Sequence, residues 1–311
     1  MNFKGLRLKN VFQEEDSKFL LSCGLKFALI FIVCCIFVYY VTWVVISINN
    51  VYFESYGFFS TPEFKEAFFD NALSIFYQQL PYLFAFVIVL FFSGVYVGKI
   101  LIRPFEIIGD YCQKRTEGEN AEYNPDLFSD YKLLTRFSEF FFRYLDHCHD
   151  HKELSTTVIP KNFTGIRGPR FEKVFFAHFL LFTGIVALIG VSFVAFMTTE
   201  IHDRIVDLAL KTLDTPGPNL AYFLNNQKEL LNSINYFAML SLTLGYILLA
   251  FHLYGKVAGA VFGFFATMRA FMKGNYNARV HLIGYAQIRP HSRALNKYLD
   301  YTERVCEKNR K

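Results

Sequence analysis

The run VFFAHFLLFTGIVALIGVSFVAFMT, residues 174–198, is 25 residues long and contains no Asp, Glu, Lys or Arg. About 20 consecutive apolar residues suffice for a helix to cross the hydrocarbon core of a bilayer, so this run reads as a membrane span. Three more runs share its character: Phe27–Ile48, Leu80–Gly98 and Tyr236–Gly255, of 22, 19 and 20 residues. Charged residues make up only 19% of the chain, whereas soluble domains carry roughly 25%. Four uncharged runs of this length exclude an ordinary soluble fold, and the expectation is an all-α membrane protein with four transmembrane helices. No cleavable signal peptide is expected, because Glu14, Glu15 and Asp16 precede the first run and no small-x-small site follows it.

The basic residues orient these spans. Segments 49–79 and 200–234 hold only Lys65, Arg204, Lys211 and Lys228, four of the 32 Lys and Arg, together with nine acids. By the positive-inside rule the segments holding the other 28 are cytoplasmic, which places both termini and residues 99–173 on the inner side of a bacterial inner membrane. Tyr39, Tyr40, Trp43 and Tyr236 then fall at the outer interface. The net charge of +5 expresses this bias and favours anionic membrane lipids; nothing in it suggests nucleic acid. The six cysteines avoid both outer loops, so no disulfides are expected.

The chain also repeats itself. NFKGLR (2–7) is echoed by NFTGIR (162–167), the second and fourth runs exit alike at Gly98-Lys99 and Gly255-Lys256, Gly118 is matched by Gly274, and FRYLD (142–146) by NKYLD (296–300). Weak matches in one order are stronger together than singly. Each copy brings two crossings, so the repeats are parallel.

After the fourth run, Val257, Val261, Phe264, Met268 and Phe271 form a heptad stripe. The connector KGNYNARVHL (273–282) follows, then a second helix carrying Ile288, Leu295, Tyr298 and Leu299. This helix–glycine connector–helix order resembles the HAMP domain of bacterial transmembrane receptors, on Gly274 with Ala278-Arg279-Val280 and on Ala294-Leu295-Asn296. The first copy is more divergent: Arg103-Pro104-Phe105 looks like the family's proline near the start of helix one, with stripes Leu101, Pro104, Ile108, Tyr111 and Leu134, Phe137, Phe141, Tyr144. Asp130-Tyr131 and Ala286-Gln287 stand where the family carries an acidic pair.

The resemblance implies two parallel repeats of two transmembrane helices, each followed by a HAMP-like segment, with one chain supplying a whole cytoplasmic four-helix bundle as an intramolecular pseudo-dimer. Higher oligomers are compatible with it. The chain divides into a segment 1–26, a hairpin 27–98 with outer loop 49–79, a HAMP-like segment 99–155, a linker 156–173, a hairpin 174–255 with outer loop 200–234, and a HAMP-like segment 256–311.

DHCHDH (146–151) draws attention as a metal candidate through His147, Cys148, His149 and His151. Zinc needs three or four converging ligands, however, and adjacent helical residues diverge, so a solvated helix end is the expectation. His178 and His252 lie inside runs that hold no Asp, Glu, Lys or Arg, and a neutral imidazole bonded to a neighbouring helix is expected of each. Gly94 and Gly98, and Gly255, Gly259 and Gly263, permit close helix contact and are expected at the interface between halves. Thr61-Pro62-Glu63 reads as a helix start and Thr215-Pro216-Gly217-Pro218 as a break between two continuations of membrane helices, so the outer segments are expected to form a low helical cap.

No catalytic triad, phosphate loop or paired carboxylates can be made out, so neither an enzyme nor a cofactor is expected. With only YTERVCEKNRK after Asp300, output is expected to pass through an unidentified protein partner. Two function classes remain: a signal relay or regulator of the inner membrane, and a non-enzymatic scaffold or accessory subunit of an envelope machine for motility or secretion. Transport is disfavoured by spans without ionisable or broken-helix signals. The topology has a direct test. Asn50→Cys and Asn219→Cys should react with an impermeant thiol reagent on intact cells and Glu119→Cys should not; labelling at 119 would overturn this topology.

Overall fold

The structure, a computed structural model, describes residues 15–57, 62–125, 131–164, 166, 168, 172–212 and 218–307. The NFKGLR phrase, Gly165 and Arg167 of its echo, the Thr61 cap, Asp130, residues 215–217 and residues 308–311 lie outside these.

Among the described residues every regular element is helical: α1 (Glu15–Ser55), α2 (Pro62–Thr116), α3 (Lys132–His151), the short α4 (Lys161–Thr164), α5 (Lys173–Thr212), α6 (Pro218–Met272), a single 3-10 turn (Ala286–Ile288) and α7 (Arg289–Glu307). Helices α1, α2, α5 and α6 are long and apolar enough to cross a membrane. Only 33% of the most apolar window of α1 is buried. Ile36, Phe84, Leu188, Phe196, Leu240 and Leu248 are all at least 60% exposed. So much exposed aliphatic and aromatic surface is what a lipid-facing helix requires, and it would be insoluble in water.

These four helices are longer than the apolar runs. The outer segments, 49–79 and 200–234, are mostly helix, as the helical cap expected of them requires. Helix α1 continues to Ser55 and α2 begins at Pro62, while α5 continues to Thr212 and α6 begins at Pro218. The reason lies in packing at and beyond the ends of the apolar runs, where Ile46, Phe53, Phe68, Ala72, Ile201 and Ile205 form a buried cluster. Proline opens both α2 and α6, a position where its missing N–H costs nothing. The two helices are 55 residues each and start 156 residues apart.

The chain forms two compact units, and the division falls within α1, α2, α5 and α6. One unit holds Gly24–Gly94 and Phe182–Leu249. Here Phe86 stacks on Phe193 with centroids 4.4 Å apart, Tyr52 stacks on Phe223 at 3.8 Å, and the Tyr246 hydroxyl donates to the carbonyl of Phe27 at 2.9 Å. Gln227 Nε2 donates to Asn49 Oδ1, both residues buried, which matters because a buried amide group without a hydrogen bond is costly in an apolar interior.

The other unit comprises the described residues of Met1–Cys23, Val95–Leu181 and Ala250–Lys311. Every residue of the four heptad stripes is buried in it, from Leu101 and Pro104 in α2 to Tyr298 and Leu299 in α7. The ends of α2 and α6 meet through Phe105 and Phe264, whose rings stand edge-to-face at 5.1 Å. Helix α3 packs on α6 through Phe137 and Phe265 at 4.2 Å, and Tyr111 of α2 meets Tyr298 of α7 at 5.9 Å. Tilted aromatic pairs of this kind add to area burial. Pro104 sits inside α2, not near a helix start, and leaves the carbonyl of Ile100 without its usual i+4 donor.

Gly118 and Gly274 end α2 and α6 in the same way. Gly118 N–H bonds the carbonyl of Arg115 and Glu119 N–H that of Lys114; Gly274 N–H bonds Phe271 and Asn275 N–H bonds Ala270. Both glycines stand at positive φ, +87° and +96°. This is the Schellman closure, which glycine enters without a Cβ clash. Substitution at either should therefore be strained, but a Cβ at Gly274 would lie 3.1 Å from Thr156 Cγ2 whereas one at Gly118 meets nothing within 4 Å. Gly118→Ala should cost about 1 kcal/mol, and Gly274→Ala more. Thermal unfolding in detergent checks the order; equal losses would show that Thr156 yields freely.

Candidate functional site

The arrangement most distinctive of this chain is the pair of connectors that carry it from α2 to α3 and from α6 to α7. In the second, polar groups fix the path. Asn296 of α7 accepts from Val280 N–H at 2.8 Å and donates from Nδ2 to the Val280 carbonyl at 3.0 Å, so one side chain stands in for a strand partner. Arg279 reaches two acids of α7, with Nε 2.7 Å from Asp300 Oδ1 and Nη2 2.8 Å from Glu303 Oε2, while its Nη1 donates to the carbonyls of Tyr276 and Ala278. Its side chain is only 16% exposed, so these charge-assisted bonds act partly shielded from water. Val280 itself is buried.

The described part of the first connector, up to Pro125, is held mainly by aromatic rings, with one side-chain hydrogen bond between Tyr123 and Ser138. Tyr123 packs on Phe142 at 4.7 Å and on Tyr111 at 5.4 Å, and Arg115 pairs with Asp146 at 2.7 Å. Burial pushes the Tyr298 phenol up to about 12, against the opposing influence of Arg115 and Tyr111.

The DHCHDH cluster divides between two faces. His147 and His151 are exposed and their rings lie 4.0 Å apart. Cys148 and His149 turn toward α7: the Cys148 carbonyl accepts from Cys306 Sγ at 3.6 Å, and His149 Nε2 lies 3.0 Å from Thr302 Oγ1. Burial, then Arg115, holds the His149 imidazole below its ordinary value. Among the described residues no three His, Cys, Asp or Glu are grouped to hold a metal ion.

The glycines expected at an interface between halves make contacts within a half. A Cβ at Gly98 would stand 3.0 Å from Leu20 Cδ2 of α1, one at Gly259 would collide with the Tyr285 hydroxyl, and one at Gly263 would stand 3.0 Å from Leu282 Cδ2. Gly94 is buried, whereas a Cβ at Gly255 would meet nothing within 4 Å.

The linker 156–173 is tied to the same unit at several points. Thr157 N–H bonds the carbonyl of Met272 at 3.1 Å and Arg269 Nη1 bonds the carbonyl of Ile166 at 2.9 Å. Sequence reasoning missed its most informative residue, Glu172. This carboxylate is 3% exposed and accepts from the backbone N–H of Leu134 at 2.7 Å. The residue preceding α3, Tyr131, supplies no side-chain cap, so Glu172 caps that helix from 38 positions downstream while its own carbonyl opens α5 by accepting from Phe176 N–H. Its only signal in the sequence was an acid beside an apolar run.

No family model, curated protein or solved structure matches this chain, so the functional reading rests on its own geometry.

Glu172 makes a pH-dependent prediction. Burial pushes its carboxyl up to about 7, while the N–H groups of Leu134 and Leu133 pull it down. The folded value lies above the unfolded one, so the folded state favours the protonated form. Its contribution to stability is full below the unfolded value and is lost as pH rises through about 7. Glu172→Gln keeps an acceptor for Leu134 and should flatten this part of the thermal-stability profile, while Glu172→Ala should lower stability by about 1 kcal/mol, the worth of a helix cap. A profile unchanged in Glu172→Gln would remove Glu172 as its source.

Proposed function

We propose that the chain is an inner-membrane signal relay or regulator, with two HAMP-like segments forming one cytoplasmic four-helix bundle from a single chain and an output delivered through a separate protein. The observation that carries this reading is the continuity of α2 and α6. Each holds an apolar run and, further along one unbroken helix, the residues that pack against the partner helices: Phe105, Ile108 and Tyr111 on α2, and Phe264, Met268 and Phe271 on α6. A small shift or rotation of either helix would have to be absorbed by repacking of those aromatic layers, and packed cores repack between discrete arrangements.

Internal duplication supports the same reading. Helices α2 and α6 are of equal length, α1 and α5 have 41 and 40 residues, and α3 and α7 have 20 and 19. A dimeric receptor needs two copies of such a unit to close a four-helix bundle; a duplicated chain supplies both.

Gentle solubilisation in mild detergent followed by affinity purification of the full chain tests the reading. The expected companion is a protein with an output domain, of the kinase or chemoreceptor kind. Recovery of the chain as a fixed-ratio member of a large envelope assembly, with no such companion, would replace the relay with a scaffold.

A further inference from the structure

A cavity of about 450 Å³ opens between the start of α5, the middle of α6 and the second connector, lined by Lys173, Phe176, Phe251, Tyr254, Gly255, Ala258, Gly259 and Tyr285. Its position in the sequence is specific. Lys173 is the last charge before the third apolar run, and Gly255 is the last residue of the fourth, so the cavity lies where apolar helix gives way to charged chain.

Its lining is correspondingly two-sided. Phe176 and Phe251 meet at 5.1 Å, Phe251 is 49% exposed, and Phe176 packs on Tyr254 at 4.6 Å, so this side is open and aromatic. The other side offers the ammonium of Lys173, which is exposed, and the phenol of Tyr285. Gly255 contributes bare backbone with open space where its side chain would be. Two residues before Tyr285, Ile283 is 93% exposed and is followed by Gly284 at φ +85°, so the connector presents an aliphatic side chain outward close to this level of α6.

We propose that this cavity binds one anionic phospholipid, with the headgroup phosphate at Lys173 and the upper part of an acyl chain along Phe176 and Phe251. A soluble anion would satisfy the lysine but leave the aromatic side wet. A zwitterionic lipid would fill the aromatic side but set its own cation near the lysine. An anionic lipid suits both, and a lysine at an anionic surface is worth a useful fraction of the binding energy. The inference needs only the membrane reading of α5 and α6, so it stands or falls separately from the relay.

Native mass spectrometry of the full chain in detergent, titrated with dioleoylphosphatidylglycerol or dioleoylphosphatidylcholine, tests it. One phosphatidylglycerol should be retained in preference to phosphatidylcholine. Lys173→Ala should weaken that retention roughly fivefold, and Gly255→Leu should abolish it by filling a space that is open in the native chain. Lys256→Ala, an exposed neighbour outside the cavity, should change it little. Equal retention of the two lipids, an equal effect of Lys173→Ala and Lys256→Ala, full retention in Gly255→Leu, or displacement of the lipid by inorganic phosphate would each overturn the proposal.

Discussion

A peptide group in hydrocarbon has no water to bond, so every N–H and C=O within a span must be satisfied by the chain itself. That constraint decides more of this molecule than its side chains do. It forces the apolar runs into helix, and once formed, a helix continues until something ends it. Between Phe27 and Ser55 nothing does, and α1 runs on past its apolar run. Helix α2 passes through Pro104 and stops only where Gly118 takes the left-handed conformation that closes its last carbonyls. Connectors therefore occur at backbone signals and not at the ends of hydrophobicity.

This explains what could be read from the sequence. The four spans rest on long-range composition, a signal that single residues cannot blur. The heptad stripes were legible for a similar reason: Val257 to Phe271 and Leu134 to Tyr144 each repeat one apolar face over several turns, and all of those residues are buried. Glycine at 118 and 274 was legible because one conformational role singles out one residue type. The extents of the helices beyond the runs were legible in part, since Thr61-Pro62-Glu63 reads as a helix start and the chain around residues 215–218 as a break between two helix continuations, but their packing was not. Phe53, Phe68, Ile201 and Ile205 are apolar residues scattered among acids, and only their meeting in space shows that they extend the packed core.

Glu172 was hidden for a different reason. Helix caps are sought next to the helix they serve, but α3 begins at Lys132 and its cap arrives from just before α5. The carboxylate sits at two helix N-termini, where partial positive charge favours the anion, and burial still raises its affinity for a proton. Desolvation outweighs the helix ends here because the side chain is almost wholly withdrawn from water. A linker that looked like a passive spacer thereby joins α3 to the start of a membrane-length helix.

The two connectors show how one task is met by different chemistry. Asn296 and Phe142 open the matched phrases NKYLD and FRYLD, and both face a connector. Asn296 holds Val280 by two hydrogen bonds of fixed length and direction, reinforced by Arg279 on Asp300 and Glu303. Phe142 holds Tyr123 by ring contact, which is attractive over a range of offsets and angles. The matched aspartates keep an arginine in both cases, but Asp146 takes Arg115 from the end of α2 whereas Asp300 takes Arg279 from within the connector. Directional bonds resist sliding, and aromatic contacts tolerate it. Of the two connectors, then, the second is held chiefly by directional bonds, whereas the described part of the first rests chiefly on ring packing, with a hydrogen bond between Tyr123 and Ser138 beside it.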